Sequence, residues 1–264
     1  MKHTEAISLE IFKIISQASQ QLQIESYVIG GYVRDFFLKR GIAKDIDIVA
    51  IGSGIDLAEQ VASLLPNKPK VQIFKTYGTA MLRYKDVEIE FVGARKESYS
   101  EESRNPEVSE GTLEDDQNRR DFTINALALS LSEANFGELL DPFNGIVDLE
   151  NGILRTPLDP DITYSDDPLR MMRAIRFASQ LNFKIEKKSL AAITKNSERL
   201  EIITRERIVD ELNKVMSCEK PSIGFLLLEE TKLLAQIIPE LIDLKGVEEV
   251  EGQKHKDNFY HTLE

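Results

Sequence analysis

Two aspartates alternate with apolar residues in the segment Asp45-Ile46-Asp47-Ile48-Val49. This alternation predicts a half-buried β-strand, and because residues two apart share one face of a strand, Asp45 and Asp47 should lie side by side. Neighbouring carboxylates repel each other unless a cation lies between them. Mg²⁺ prefers hard oxygen ligands and is often held by one or two carboxylates plus substrate phosphates. The segment is therefore a candidate Mg²⁺–triphosphate platform, although most aspartate pairs of this spacing are exposed strand faces.

A glycine pair follows the apolar segment Tyr27-Val28-Ile29 and precedes a helical pattern. Glycines between a strand and a helix let backbone N–H groups approach a phosphate, and the N-terminal end of a helix favours negative charge. Arg34 adds a cation about one turn into the helix, where Asp35 can hold it in place. A strand–turn–helix with a surface ion pair is the alternative, but Gly30 and Gly31 followed by the aspartate strand favour a nucleotide site.

A third carboxylate is available from the predicted strand 87–92. Glu88 and Glu90 lie two residues apart and share a face of that strand. Glu90 can join Asp45 and Asp47 if the two strands are neighbours. For Glu88 an exposed strand edge is the better interpretation.

Two arginines and two short polar side chains form the next cluster, in Arg119-Arg120-Asp121-Phe122-Thr123-Ile124-Asn125. Paired guanidinium groups can clamp a triphosphate and neutralise its charge. Asp121 and Asn125 lie one helical turn apart. An ordinary helix start, with Asp121 near the cap, is the alternative interpretation.

A further polar run opens the helical pattern that follows Pro168. Asp167 suits the N-cap and Pro168 the first helical position, which is a purely structural explanation. Asp167 and Arg170 are also three residues apart on one helix face, so their side chains can read the edge of a base. Arg173 and Arg176 continue the run at the same spacing.

Strand and helix patterns divide the chain into an α/β part and a helical part. The fold class predicted is α+β, with a small mixed sheet in residues 1–155, an all-helical segment in 156–250 and a separate short segment in 251–264. The polar segment 96–118 is expected to be a long mobile loop. No internal repeat is visible.

The charge and cysteine content exclude several classes of protein. A net charge of −12 over 264 residues argues against a protein that coats nucleic acid non-specifically, but residues 166–220 carry a net charge of about +3. The single cysteine, Cys218, excludes an internal disulfide or a cysteine metal cluster, which favours the cytoplasm. No apolar run is long enough to span a bilayer, and residues 1–23 do not resemble a secretory signal.

These motifs, taken in order, resemble those of the class II tRNA nucleotidyltransferases and bacterial poly(A) polymerases. The matching segments are G-G-Y-V-R-D with D-I-D, then R-R-D-F-T-I-N-A, then D-D-P-L-R-M-M-R-A-I-R-F-A, with weaker echoes at 139–149 and 205–216. The resemblance covers roughly residues 24–240. One departure is Asp166, where relatives usually carry glutamate.

The resemblance implies that Asp45, Asp47 and Glu90 form the catalytic acidic trio, with Mg²⁺ at the two aspartates. Other residues would then bind the nucleotide, in the turn, the arginine cluster and the helix: Gly30, Gly31, Arg34, Arg119, Arg120, Asp121, Asn125, Asp167, Arg170, Arg173 and Arg176. The reaction implied is addition of C and A to the 3′ end of tRNA from CTP and ATP. Segment 96–118 would correspond to the flexible segment linked to switching from C to A.

Several alternatives stay open. Residues 74–79 look like those of CCA-adding members, but poly(A) addition, CC-only addition and A-only addition share the same motifs. A non-catalytic module that binds tRNA or nucleotide belongs to a different class, and the complete acidic trio argues against it. Residues 255–262 resemble the opening of an HD-type phosphohydrolase domain. Such a domain needs more metal ligands than this segment contains. We therefore expect a shortened form of a longer protein and no working metal site at His255 and His261.

Overall fold

The structure is a computed structural model that describes residues 2–41, 44–100, 103–246, 249–250, 253–254 and 257–263. The chain divides into two compact units. The first, here called the head unit, comprises Met1–Ser98 and Glu107–Asn151. The second, here called the helical unit, comprises Tyr99–Pro106 and Gly152–Glu264.

Strands and helices alternate along the first part of the chain. In chain order the elements are α1 (Glu10–Leu22), β1 (Ser26–Ile29), α2 (Gly31–Phe37), β2 (Asp45–Ala50), α3 (Gly54–Leu64), β3 (Gln72–Phe74), β4 (Thr79–Tyr84), β5 (Val87–Gly93), β6 (Arg95–Ser100), β7 (Ser103–Glu110), α4 (Leu113–Asn118), β8 (Ala128–Ser130), β9 (Leu139–Leu140) and α5 (Gly145–Asn151). Short 3₁₀ turns cover Lys75–Tyr77, Thr123–Asn125 and Glu133–Asn135.

Seven of these strands form one mixed sheet, in the order β3-β4-β5-β2-β1-β8-β9. β2 and β5 are parallel neighbours, and the other pairs of adjacent strands are antiparallel. Parallel neighbours cannot be joined by a tight turn, so α3, β3 and β4 occupy the crossover between them. The mixed sheet predicted from the sequence is confirmed.

The core of the head unit follows from the alternation in the two parallel strands. Ile46 and Ile48 on β2, and Ile89 and Phe91 on β5, are fully buried. α3 packs on β2, β4 and β5 and also contacts α1. Because side chains alternate between faces, the residues between these apolar positions, including Asp47, lie on the opposite face of the sheet.

One prediction for this part of the chain is wrong. Segment 96–118, expected as a loop, contains the paired strands β6 and β7 and the helix α4. Backbone pairing needs no apolar run, and α4 is started by a capping box in which Thr112 Oγ1 accepts from the N–H of Asp115 at 3.2 Å.

Helices dominate the second unit. Its elements are β10 (Ile153–Leu154), α6 (Pro160–Asp166), α7 (Leu169–Leu181), β11 (Lys184–Ile185), α8 (Lys187–Asn196), α9 (Arg205–Met216), α10 (Pro221–Glu230), α11 (Leu233–Ile237), α12 (Pro239–Ile242), β12 (Glu249–Val250), β13 (Gln253–Lys254) and α13 (Asn258–Thr262), with a 3₁₀ turn at Ser197–Ile202. The helical body predicted for the second part of the chain is confirmed, and short strands add to it: β10 pairs with β11, and β12 with β13.

The start of α7 also differs from the expectation. α6 precedes it, so Asp167 and Pro168 join two helices and do not open the first helix of this unit. Asp167 still acts as a cap, because its Oδ1 accepts from the N–H of Leu169 at 3.2 Å. Near the end of the chain, Asp257 caps α13 through the N–H of Phe259 at 3.0 Å. His255 lies outside the described residues.

Among the residues that the structure describes, none of the helices has the length and apolar content needed to cross a membrane.

Candidate functional site

The acidic residues of the candidate site lie on two neighbouring strands. Asp47 on β2 is directly paired with Glu90 on β5, and Asp45 is paired with Glu88. Since parallel strands lie about 4.8 Å apart, the carboxylates of Asp47 and Glu90 face the same region of space. β2 and β5 are therefore neighbours, as the expected role of Glu90 as the third carboxylate requires.

Electrostatic repulsion is visible at this pair. Burial is the larger cause of the raised pKa of Glu90, and the negative charge of Asp47 is the second cause. A hydrogen bond with Thr79 and the charge of Arg95 lower the pKa of Glu90 in part, without cancelling the rise. A cation placed beside Asp47 would relieve this excess negative charge.

The glycine turn brings the backbone at the start of α2 next to that carboxylate. Gly30 has φ +83°, a left-handed conformation that favours glycine. A Cβ added at Gly30 would lie 3.0 Å from Arg120 Nη1 and 3.2 Å from Asp47 Oδ2. The turn, the guanidinium and the carboxylate therefore converge on one point, and a side chain at Gly30 would displace them.

Arg119 and Arg120 are held by a residue that the sequence analysis did not single out. The carboxylate of Asp116, which is fully buried, pairs with both guanidinium groups. Arg119 Nε donates to its Oδ1 at 3.0 Å and Arg120 Nε to its Oδ2 at 3.1 Å. Burial alone would raise the pKa of Asp116, but the two arginines lower it below its usual value.

Arg34 belongs to a hydrogen-bonded chain beneath the glycine turn. Its Nε and Nη2 donate to the two carboxylate oxygens of Asp35 at 2.9 and 3.0 Å, as predicted, and its Nη1 donates to Asn125 Oδ1 at 2.8 Å. Asn125 Nδ2 in turn donates to Asp121 Oδ1 at 2.9 Å. The side chain of Arg34 is buried, so the chain fixes α2 against the 3₁₀ turn at Thr123–Asn125.

A groove of about 520 Å³ opens over this face of the sheet. Carboxylates, guanidinium groups and two aromatic rings line it, including Asp47, Glu90, Arg119, Arg120, Phe74 and Tyr77. Asp45 is exposed on the same strand face as Asp47 but is not among the lining residues.

The candidate residues on α7 form a separate group within the helical unit. Arg170 is buried, and its Nη1 lies 3.5 Å from the carbonyl oxygen of Thr163. Arg176 Nε donates to the buried Glu211 on α9 at 2.7 Å, and its guanidinium lies 4.0 Å from the ring centroid of Phe177. Arg173 lies over the same ring at 5.5 Å. Arg176 therefore ties α7 to α9.

The acidic residues alone do not form a complete metal site. Within the described ranges, no three His, Cys, Asp or Glu side chains are arranged to hold a metal ion by themselves. The donors fit a cation that takes its remaining ligands from a bound triphosphate, because Mg²⁺ is commonly held by one or two carboxylates and substrate phosphates. The repulsion between Asp47 and Glu90 supports the same fit.

Comparison with known proteins places these features in a family. Residues 26–155 match the family described as "Poly A polymerase head domain", and residues 182–244 match "Probable RNA and SrmB- binding site of polymerase A". The CCA-adding enzyme of Anoxybacillus flavithermus is 37% identical over 223 residues, covering 84% of this chain and 53% of that protein. The chain belongs to the tRNA nucleotidyltransferase and poly(A) polymerase family.

Two other members of the tRNA nucleotidyltransferase and poly(A) polymerase family illustrate its range. The A-adding tRNA nucleotidyltransferase of Halalkalibacterium halodurans is 33% identical, with 84% of this chain and 52% of that protein covered. The solved structure of the Thermotoga maritima CCA-adding enzyme complexed with tRNA is similar with a TM-score of 0.79 at 29% identity, covering 91% of this chain and 56% of that one. The chain thus spans about half the length of these relatives.

The family likeness confirms the fold class predicted from the motifs, which is a nucleotidyltransferase-type head with a mixed sheet followed by a helical body. Sequence reasoning missed Asp116 and Glu211. The spacing of Asp116 to Arg119 and Arg120, three and four residues along one helical turn, was the available signal. No comparable signal linked Glu211 to Arg176, because the two lie on different helices.

Proposed function

We propose that the protein adds C and A nucleotides to the 3′ end of tRNA, without a template, from CTP and ATP. The RNA 3′-hydroxyl would attack the α-phosphate, a new phosphodiester bond would form, and pyrophosphate would leave. The convergence of the Gly30 turn, Asp47 and Arg120 beside Glu90 is the observation that carries the proposal. These groups pair cationic and backbone donors for phosphates with carboxylates for a metal.

Each part of the head unit has a chemical task in this proposal. Asp45 and Asp47 would hold Mg²⁺, which supplies charge neutralisation at the phosphates and a more acidic hydroxyl. Arg119 and Arg120, fixed by Asp116, would bind the triphosphate and stabilise the negative charge that develops on it. The backbone N–H groups that follow Gly30 would bind phosphate oxygens at the start of α2.

Base selection is assigned to the helical unit. Asp167 offers a carboxylate that accepts from an exocyclic amine, and Arg170 donates to ring nitrogen and carbonyl acceptors. The Arg176–Glu211 ion pair would hold α7, the helix that carries Arg170, against α9, and Arg173 would support the same pocket. The locally basic charge of residues 166–220 suits contact with the acceptor stem through phosphates and shape.

Three related activities use the same chemistry. A poly(A) polymerase would add many A residues, and a CC-only or A-only enzyme would stop partway. The A-adding relative from Halalkalibacterium halodurans favours A-only addition as the second candidate. A binding module without catalysis would use the groove and add nothing. Action in the cytoplasm remains a prediction from the single cysteine.

One extension assay separates these activities. We would supply tRNAs that end before, within and after CCA with CTP, ATP or both, plus Mg²⁺, and read product lengths at single-nucleotide resolution. The proposal predicts completion of CCA on each shortened tRNA and no addition to the completed one. Long A tails, or addition restricted to C or to A, would replace it with the corresponding related activity. No extension of any tRNA would support the binding module.

Removing the metal with a chelator and then adding Mg²⁺ tests whether the required cation is Mg²⁺. Extension that stops with a chelator and returns with Mg²⁺ would support Mg²⁺ at the aspartates, whereas extension in a chelator would contradict it.

A further inference from the structure

Two exposed aromatic side chains lie beside the charged groove. Phe74 is 44% exposed and Tyr77 is 72% exposed, and both line the groove that contains Asp47 and Glu90. Aromatic rings bury large apolar areas in folded proteins, so a pair left open to solvent beside charged groups indicates a binding surface. The role proposed above for the carboxylates and arginines leaves these two rings without a function.

Phe74 lies on the same face of the sheet as the carboxylates. Val92, two residues beyond Glu90 on β5, is paired with Thr79 on β4, and Thr79 is paired with Phe74 on β3. Residues at paired positions, or two apart along a strand, share a face. At about 4.8 Å between strands, the edge strand that carries Phe74 runs roughly 10 Å from the strand that carries Glu90.

The backbone fixes Tyr77 at the end of this edge strand. Lys75–Tyr77 form a 3₁₀ turn, and Gly78 ends the turn with φ +63°, a conformation that glycine adopts without strain. Lys75 is exposed in the same turn and adds a cation between the two aromatic residues in the chain. Rings with a nearby cation are the usual components of a surface that binds single-stranded nucleic acid.

We propose that Phe74 and Tyr77 form a stacking platform for the 3′-terminal base of the RNA acceptor, an inference that rests on the proposed function. The terminal base of the acceptor is the unpaired base of the shortened tRNA at the first addition and C at the next two. A group that holds it must therefore tolerate different bases. Stacking on an aromatic ring does so, because every base has a π-face.

The incoming nucleotide is the less suitable occupant. Its base must be selected as C or A, which requires hydrogen-bond donors and acceptors at fixed positions. The ring of Phe74 offers neither. The acceptor hydroxyl must also reach a phosphate held at Asp47, so the base attached to that hydroxyl has to lie on the same face of the sheet, where the platform is.

The absence of tryptophan from the chain allows a direct test. A Tyr77→Trp variant would carry one indole, whose fluorescence is quenched when a base stacks on it. We would titrate it, without nucleotide, with an acceptor-stem RNA ending in C and with the same RNA carrying an abasic 3′-terminal nucleotide. The inference predicts quenching by the first RNA and none at equal occupancy by the second.

Kinetics of the full chain provide the second test. Tyr77→Ala should raise the KM for tRNA about tenfold, given the usual contribution of one stacked base, while the KM for CTP stays at its wild-type value. Tyr77→Phe keeps the ring and should restore the KM for tRNA. Tyr260→Ala is the matched control, because Tyr260 is an exposed tyrosine in α13.

The results separate the platform from the proposed function. Equal quenching by the abasic RNA, quenching by CTP or ATP alone, or an unchanged KM for tRNA in Tyr77→Ala would each overturn the platform while extension by the wild-type chain persists. Failure of the wild-type chain to extend any tRNA would instead count against the proposed function.

Discussion

Asp47 on β2 lies directly opposite Glu90 on the parallel strand β5, and its negative charge is the second cause, after burial, of the raised pKa of Glu90. Two neighbouring carboxylates on an open sheet face destabilise the fold unless a cation or a proton compensates their charge. We therefore expect the stability of the head unit to depend on pH and on divalent cations.

Glu90→Gln should stabilise the chain at neutral pH. Because the pKa of Glu90 is higher in the folded chain than its usual value of 4.5, this carboxyl stabilises the fold most below pH 4.5 and loses that contribution as the pH rises through the folded pKa. The urea midpoint of Glu90→Gln should exceed the wild-type midpoint at pH 7, and the gain should vanish near pH 4.

Mg²⁺ should raise the wild-type urea midpoint more than that of Glu90→Gln. Glu88→Gln is the matched control, since Glu88 lies two residues away on β5 and pairs at the surface with Arg83. If Glu88→Gln raises the urea midpoint at pH 7 as much as Glu90→Gln does, the Asp47–Glu90 repulsion is not the cause.

Asp116→Asn should both destabilise the head unit and slow nucleotide addition. Asp116 is fully buried between Arg119 and Arg120, and removing one partner of a buried ion pair costs about 3 kcal/mol. Because the arginines lower the pKa of Asp116, its contribution is present above its unfolded value of 3.8 and lost only as the pH falls through the folded pKa.

The free energy of unfolding of Asp116→Asn, measured in urea at pH 5 and pH 7, should therefore be reduced equally at both. Glu114→Gln, an exposed position on the same helix, should leave it unchanged. A loss no larger than that of Glu114→Gln would mean that Asp116 does not hold the arginines.

Arg34→Lys should show that the geometry of the guanidinium matters as well as its charge. Lysine keeps the positive charge but cannot make the paired bonds to Asp35 and the bond to Asn125 together. Loss of charged hydrogen bonds at a buried position should lower the free energy of unfolding by about 2 kcal/mol. Arg40→Lys, an exposed arginine after α2, is the control, and equal effects of both substitutions would contradict this account.

The alternation of apolar and polar residues was enough to predict the strands that carry the site. It fixed Asp45 and Asp47 on one face of β2. The apolar run Tyr27-Val28-Ile29, followed by two glycines, placed the glycine turn before α2. The alternation could not establish that β5 lies beside β2, because β3 and β4 intervene in the chain and the pairing of distant strands depends on the packing of the whole sheet.

Segment 96–118 shows where polarity misleads. Its composition indicated a loop, whereas the structure pairs β6 with β7 through backbone bonds and begins α4 at Leu113, with Thr112 as the N-cap. The error also hid Asp116, since a helix was needed to see that its carboxylate lies one turn before Arg119 and Arg120. The role proposed for this segment in switching from C to A remains a prediction.

The most direct test of whether Asp45 and Asp47 hold a catalytic cation is the rate of tRNA extension by two variants, Asp47→Ala and Asp45→Ala. Both variants should fold, as judged by thermal unfolding, because Asp45 is exposed and loss of either carboxylate reduces repulsion on β2. Their rates should fall by more than about a hundredfold, because replacing residues that only hydrogen-bond to metal ligands already lowers activity by up to about a hundredfold. Folded variants that extend tRNA at the wild-type rate would contradict the account.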